Sequence, residues 1–364
     1  MTAGRDKRKV GVTIISGFLG AGKTTLLRRL VCDERFGPRL AILVNDVGEL
    51  GLDPELVRSA GSAPTLRVTE LVSGCICCTL QGEFVTALRT LIHGEGLPRK
   101  PEHILIEPSG IARASELSFA VNAIGSEEPV ETDAVITLVD AHNARRAFAE
   151  QPDLFVDQVR SADLILINKA DLLPDPADRQ RLLDWLRPMA PRANLLWTAQ
   201  AQLDPMLLFG KLDLLAEGPP HASTAPSQPG PPHAATGPHA DEHDDAHRHG
   251  PPQEGMTALT LPVPFVVDRD RLEDFLDAQA DRIFRIKGIV SARWRDGGEP
   301  ATSDPAPTLV QAVGDRVDID RLPADSPLCS APRRLIFIGS PGALDRARLT
   351  QELRETADGD AGTC

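Results

Sequence analysis

The stretch VGVTIISGFLGAGKTTLLRRL, Val10 to Leu30, decides the fold. Val10 to Ile15 is an apolar run with several β-branched residues, the pattern of a buried parallel strand. It leads into Gly17-Phe18-Leu19-Gly20-Ala21-Gly22-Lys23-Thr24, which fits the phosphate-binding pattern G-x-x-x-x-G-K-[ST] without a gap. Leu26, Leu27 and Leu30 then recur at helical spacing, so a helix starts where the pattern ends. The chemistry needs this order. Gly17, Gly20 and Gly22 let backbone N–H groups turn inward around a polyphosphate, and the helix N-terminus adds its positive dipole end. Ala21 and Thr25 count among the binding residues, Lys23 neutralises the β/γ-phosphates, and the Thr24 hydroxyl holds Mg²⁺. A dinucleotide-binding reading fails because the glycines run G-x-x-G-x-G rather than G-x-G-x-x-G.

The chain has 364 residues, room for one large domain and one small one. A net charge of -13 argues against nucleic acid or an anionic membrane as partner, and the absence of tyrosine leaves little for base stacking. No run approaches the length of a transmembrane helix, and MTAGRDKRKV lacks the apolar stretch of a secretory signal. The expected setting is cytoplasmic, where thiols stay reduced and a disulfide framework is not expected.

Leu40 to Val44 reads as a second buried strand. It ends in Asn45-Asp46-Val47-Gly48-Glu49-Leu50-Gly51-Leu52-Asp53, a carboxylate-bearing loop that belongs at the ligand edge of an α/β sheet. Asp46 is the candidate Mg²⁺ partner there, directly or through water. Thr65 to Val72 is a third strand candidate and delivers Ser73-Gly74-Cys75-Ile76-Cys77-Cys78. Three thiols within four residues form a compact soft-ligand cluster, suited as thiolates to Zn²⁺ or Cu(I). A closed structural zinc site wants four ligands. An open position fits a metal that is handed on.

Leu80, Phe84, Leu88, Leu91 and Ile92 form a helical core stripe, and His93 and His103 read as surface or capping groups. His103 to Ile106 leads into Glu107-Pro108-Ser109-Gly110, in the place where a P-loop protein keeps its second Mg²⁺ and γ-phosphate sensor. The group that positions the hydrolytic water is left between Asp46 and Glu107. Ala134 to Asp140 is a further strand, followed by a helical region and by Leu164 to Ile167. That last strand runs into Asn168-Lys169-Ala170-Asp171. The Asp171 carboxylate can accept from both N1–H and the N2 amino group of guanine, and adenine offers neither. Lys169 can lay its stem along the base while Asn168 braces the loop. The nucleotide is therefore read as GTP. A strand near Leu195 to Thr198 closes the sheet, and Ala199-Gln200 is a further candidate for base contact.

These features divide the chain into a disordered N-terminus (1–9), a P-loop GTPase domain (10–215), a Pro/Gly/His-rich flexible linker (216–255), a small α+β domain (256–357) and a tail (358–364). The linker holds six of the nine histidines, and His239, His243, His247 and His249 lie among carboxylates, a composition that captures Zn²⁺, Co²⁺ or Ni²⁺. In the last domain Leu259 to Val266 reads as extended, Arg271 to Arg282 as helix, and Phe284 to Val290, Thr308 to Val313 and Leu335 to Ile338 as strands. It shows no catalytic constellation, and docking or specificity is its expected task. The fold class is α/β, a mostly parallel sheet flanked by helices, with an added α+β domain.

Taken in order, GFLGAGKTT, NDVGELGLD, SGCICC, EPSG and NKAD closely resemble the CobW-like family of metal-handling P-loop GTPases, relatives of the proteins that mature urease and hydrogenase. The resemblance implies that Cys75, Cys77 and Cys78 bind a transition metal and that Glu49 joins them. It also implies slow GTP hydrolysis coupled to delivery of the metal, often Zn²⁺ or Co²⁺, to a client metalloprotein, while the oligomeric state is left open between monomer and homodimer. Asp46 stands where the family commonly has Glu, and Ser73 where it commonly has Asn. Two alternatives stand beside this reading: a regulatory GTPase with a structural cysteine cluster, and a non-enzymatic metal store.

Overall fold

The computed structural model describes residues 9–31, 40–44, 68–70, 80–95, 100–203, 257–294, 304–314, 316–324 and 326–358. Asp46, Glu49, Cys75, Cys77, Cys78 and the linker histidines His239, His243, His247 and His249 lie outside them.

Seven parallel strands form the first sheet: β1 (Val10–Gly17), β2 (Leu40–Val44), β3 (Val68–Glu70), β4 (His103–Glu107), β5 (Val130–Asp140), β6 (Leu164–Asn168) and β7 (Asn194–Trp197). Their spatial order is β3-β2-β4-β1-β5-β6-β7. The chain moves outward from β1 to one side, returns through β4, then crosses to the other side. β1 thus lies at the switch point, where open α/β sheets bind ligands. The strands are nearly continuous apolar runs because helices cover both faces.

Alternation along β1 sorts the two faces. Val10, Val12 and Ile14 pack with Phe84, Leu88 and Leu91 of α2 (Leu80–His93) and with Leu117, Val121 and Ile124 of α3 (Ala114–Gly125). Ile15 faces the other way, against Leu26, Leu27 and Leu30 of α1 (Lys23–Val31). Beyond β5, Val139, Ile165 and Ile167 meet α4 (Ala144–Glu150), α5 (Pro152–Arg160) and α6 (Pro176–Leu186). Asp175 caps α6 by accepting from Ala177 N at 2.8 Å, and Pro176 follows as the first helical residue. No described helix is long and apolar enough to cross a membrane.

The second sheet is built from β8 (Thr257–Pro262), β9 (Val266–Asp268), β10 (Ile283–Arg293), β11 (Ala306–Val313), β12 (Arg316–Arg321) and β13 (Arg334–Gly339). Its order is β12-β11-β10-β13-β8, with antiparallel neighbours, and β9 adds to β10 in parallel. Helices α7 (Arg269–Gln279) and α8 (Arg346–Glu355) start at the aspartate caps Asp268 and Asp345, and bury Leu272, Leu276, Leu349 and Leu353 against it.

The two sheets share a core. Phe284, Val313 and Ile338 of the second domain join the α1-side core. Three such side chains contribute roughly 5–9 kcal/mol as an upper bound, comparable to the stability of a whole domain. Around this apolar contact lie charged pairs. Arg285, fully buried, donates to Asp133; Arg316 donates to Asp163 at 2.7 Å; Gln311 donates to Glu131 at 3.3 Å.

Two expectations change here. His103, expected at the surface, is largely buried at this junction, 2.8 Å from the Thr13 hydroxyl and 3.9 Å from Asp133. His93 does lie at the surface, beside Glu128. β5 starts at Val130, four residues earlier than its apolar run, and its first residues include Glu131 and Asp133, which bond to Gln311 and Arg285 of the second domain.

Burial pushes the His103 pKa down to about 4; the cations of Arg285 and Lys287 act the same way, against the Asp133 carboxylate. An unfolded histidine titrates near 6.5, so between about pH 6.5 and 4 the unfolded chain takes up a proton that the folded chain refuses. His103 therefore subtracts stability as the pH falls through that window and contributes nothing above it. The His103→Gln variant should show a stability–pH slope shallower by up to about one proton over that range, measured by urea unfolding at stepped pH. Parallel curves for variant and wild type would refute the assignment.

Candidate functional site

The loop between β1 and α1 forms the cradle expected from its glycines. Gly22 has φ +107, and a Cβ there would come within 2.4 Å of Asn168 Nδ2, so both conformation and space require glycine. Lys23 is 7% exposed, and its ammonium donates to the Phe18 carbonyl at 3.4 Å, folded back over the loop. A groove of about 440 Å³ opens here, lined by Gly20, Lys23, Thr24, Val44, Glu107 and Ser109.

β4 pairs directly with β1 and carries Glu107 to the same edge. The Thr24 hydroxyl donates to Glu107 Oε1 at 2.7 Å, with Glu107 only 7% exposed. A hydroxyl and a carboxylate brought together at a phosphate cradle are hard oxygen donors, the set Mg²⁺ prefers. The donor chemistry therefore fits that ion. The loop after Glu107 packs on the cradle: a Cβ on Gly110 would lie 2.8 Å from Leu19 N. Gln158 of α5 fixes this loop, its buried Nε2 donating to the carbonyls of Gly110 and Ala112 at 3.1 and 3.0 Å. Gln158 was not singled out from the sequence, where it is one polar residue on an amphipathic helix.

Asn168, at the end of β6, joins three segments. Its Nδ2 donates to the Ala21 carbonyl of the cradle at 2.8 Å, and its Oδ1 accepts from Ala201 N at 2.8 Å. Gln200 and Ala201 both have positive φ, 53 and 52°, a costly conformation for non-glycine residues that the Asn168 bond helps to hold. The Ala199–Gln200 segment is thereby brought beside the cradle, and Gln200 Oε1 accepts from Arg29 at 3.3 Å. Asp171 is exposed in a short 3₁₀ turn, Ala170–Leu172. Lys169, with φ 60, reaches Asp140 at the end of β5, its Nζ 2.6 Å from Oδ2. Asp140 was read only as a strand end. An acidic residue closing an apolar strand was the available signal, the one that did mark Glu107.

The cradle and its oxygen pair, with the brace to N-K-x-D, define a P-loop GTPase. Residues 11–196 match the CobW/HypB/UreG nucleotide-binding domain, and residues 256–357 match the cobalamin synthesis protein cobW C-terminal domain. The chain belongs to this family. It is 32% identical over 376 residues to the zinc chaperone CobW of Pseudomonas aeruginosa, spanning 95% of this chain and 91% of that protein. It is 28% identical to the zinc chaperone YjiA of Escherichia coli over 79% of this chain and 83% of YjiA. The crystal structure of Zn(II)-bound YjiA GTPase from E. coli aligns at 23% identity over 96% of this chain and 99% of that one, with a TM-score of 0.43.

Among the described residues no group of three or more His, Cys, Asp or Glu side chains is arranged to hold a metal ion. Val44 stands in register with Glu70 on one side and Glu107 on the other, so these three residues form one row across β3, β2 and β4. Asp46 and Glu49 follow β2 in the chain, and Cys75, Cys77 and Cys78 follow β3.

Replacing Asn168 by Ala removes both bonds and leaves the buried Ala201 N–H without its acceptor. The expected loss is about 2–4 kcal/mol of stability in the nucleotide-free protein, read from urea midpoints. A midpoint unchanged from wild type would contradict the brace.

Proposed function

We propose that this GTPase handles a transition metal, zinc foremost, and that GTP binding and hydrolysis govern delivery of the ion to a client metalloprotein in a cytoplasmic setting. The observation that carries the reading is the common row formed by Val44, Glu70 and Glu107. In the sequence, Asp46 and Glu49 come soon after Val44, and Cys75, Cys77 and Cys78 soon after Glu70. Three thiolates with a carboxylate suit Zn²⁺, and the zinc-chaperone names of the relatives point the same way. Co²⁺ and Ni²⁺ are the second choice of cargo, suited to the imidazoles of His239, His243, His247 and His249.

Each residue of the nucleotide site then has a task. Backbone N–H groups from Gly17 to Thr25 hold the phosphates, and Lys23 neutralises the β- and γ-oxygens. Asp171 takes the two guanine donors, and Asn168 keeps its loop against the cradle. Mg²⁺, when bound by Thr24 with Glu107 and Asp46 directly or through water, supplies electrostatic stabilisation of the phosphate oxygens. Glu107 or Asp46 orients the attacking water. The sequence offers no recognisable arginine finger, so the expected turnover is slow, on the order of 10⁻⁴ to 10⁻² s⁻¹.

If nucleotide changes metal affinity, metal must change nucleotide affinity by the same factor. Zn²⁺ titrated into full-length protein should bind at least about fivefold more tightly with a non-hydrolysable GTP analogue than with GDP. Cys77→Ser should abolish that difference. Equal affinities in the two nucleotide states would overturn the coupling.

A further inference from the structure

We propose that Asp140 is a positioning residue of the base site, which anchors the Lys169 ammonium so that the lysine stem forms a fixed wall for the guanine ring. The inference rests on the reading of Asn168–Asp171 as a guanine site and extends it to a residue on another strand. Lys169 is two-thirds buried and held at 2.6 Å from Asp140 Oδ2. The carboxylate is itself immobilised. Its Oδ1 accepts from the backbone N–H groups of His142 and Asn143 at 3.0 and 3.2 Å, and its Oδ2 from Asn143 Nδ2 at 3.0 Å. Asp140 and Asn168 are register partners in adjacent strands, and Ala141 N donates to the Asn168 carbonyl at 2.8 Å. The anchor and the brace of the base motif are thus parts of one rigid element.

The arrangement removes a freedom that lysine otherwise keeps. Four rotatable bonds let an exposed lysine sample many conformers, and a ligand that needs one of them must order it on binding. Here the ammonium is tied at its far end and the backbone is tied at its near end by the left-handed conformation of Lys169, φ 60 and ψ 37. Burial raises the Asp140 pKa, but the bonds from Asn143 and Lys169 outweigh it and hold the carboxyl below the ordinary aspartate value. The anchor stays charged throughout the neutral range.

The alternative is that the ion pair merely ties β5 to β6, and the two roles separate in measurement. Dissociation constants for GDP, IDP and ADP are measured on the full-length chain by displacement of a fluorescent guanine nucleotide. IDP lacks the N2 amino group that Asp171 reads but keeps the ring that Lys169 would face. In Asp140→Asn, which retains an acceptor for the two backbone N–H groups, GDP and IDP affinities should fall together by about tenfold with their ratio unchanged. KM for GTP should rise by the same factor with kcat within about twofold. Lys169→Met keeps the stem and removes the anchored charge, so it should lose as much. The double variant should be no weaker than either single one.

A GDP affinity unchanged in Asp140→Asn overturns the proposal. So does an additive loss in the double variant, the outcome expected of two independent structural effects. Should Asp140→Asn fail to fold, Lys169→Met alone decides: unchanged GDP and IDP affinities overturn the proposal, and a joint tenfold loss supports it. Wild-type protein that binds ADP as tightly as GDP overturns the guanine reading itself, a failure distinguishable from the others because it appears without any substitution.

Discussion

One carboxamide holds the nucleotide site together. Asn168 donates to the cradle through Ala21 and accepts from Ala201, so phosphate loop and base loop cannot move apart without breaking a buried bond. Gly22 lies under the same side chain, too close for any Cβ. The parallel sheet makes this possible: β1 and β6 lie either side of β5, and β6 runs on past the level of Gly17 to Asn168, whose short side chain reaches the cradle. Everything the site does with a nucleotide presupposes that fixed spacing.

At the other end of the strands the second domain takes over, adding Phe284, Val313 and Ile338 to the core on the α1 face. Charges then align the two bodies, with Arg285 on Asp133 and Arg316 on Asp163. Buried pairs of this kind add little net stability but penalise misalignment strongly, because a displaced partner leaves a charge uncompensated. The junction is therefore apolar in strength and ionic in register. β4 connects it to the nucleotide site in five residues, with His103 at one end and Glu107 at the other.

The legible parts of the chain were those where one physical cause acts locally. Glycine spacing identified the cradle from Gly17 to Gly22, and the position of Asn168–Asp171 after an apolar strand marked the base loop, because backbone geometry and strand order leave direct traces. Leu40–Val44 was read as a buried strand, and every one of these residues is strand and buried. What escaped depends on partners far along the chain. His103 looked like a surface residue because its neighbours Thr13, Asp133 and Arg285 come from elsewhere in the sequence. Gln158 and Asp140 work through contacts with other segments, Gln158 with Gly110 and Ala112 and Asp140 with Lys169. The strand Arg316–Arg321 was missed because RVDIDR, at the sheet edge, carries the charges that discourage edge pairing and so lacks an apolar run.

Leu203 packs on the α1-side core and Thr257 pairs with Gly339 in the second sheet, and any chain that joins two such anchored points closes a loop. The entropy of closing such a loop grows only logarithmically, about 0.6 kcal/mol per doubling of its length. Insertions or deletions there are nearly invisible to folding, and evolution is free to vary the number of imidazoles it carries without disturbing the machine on either side.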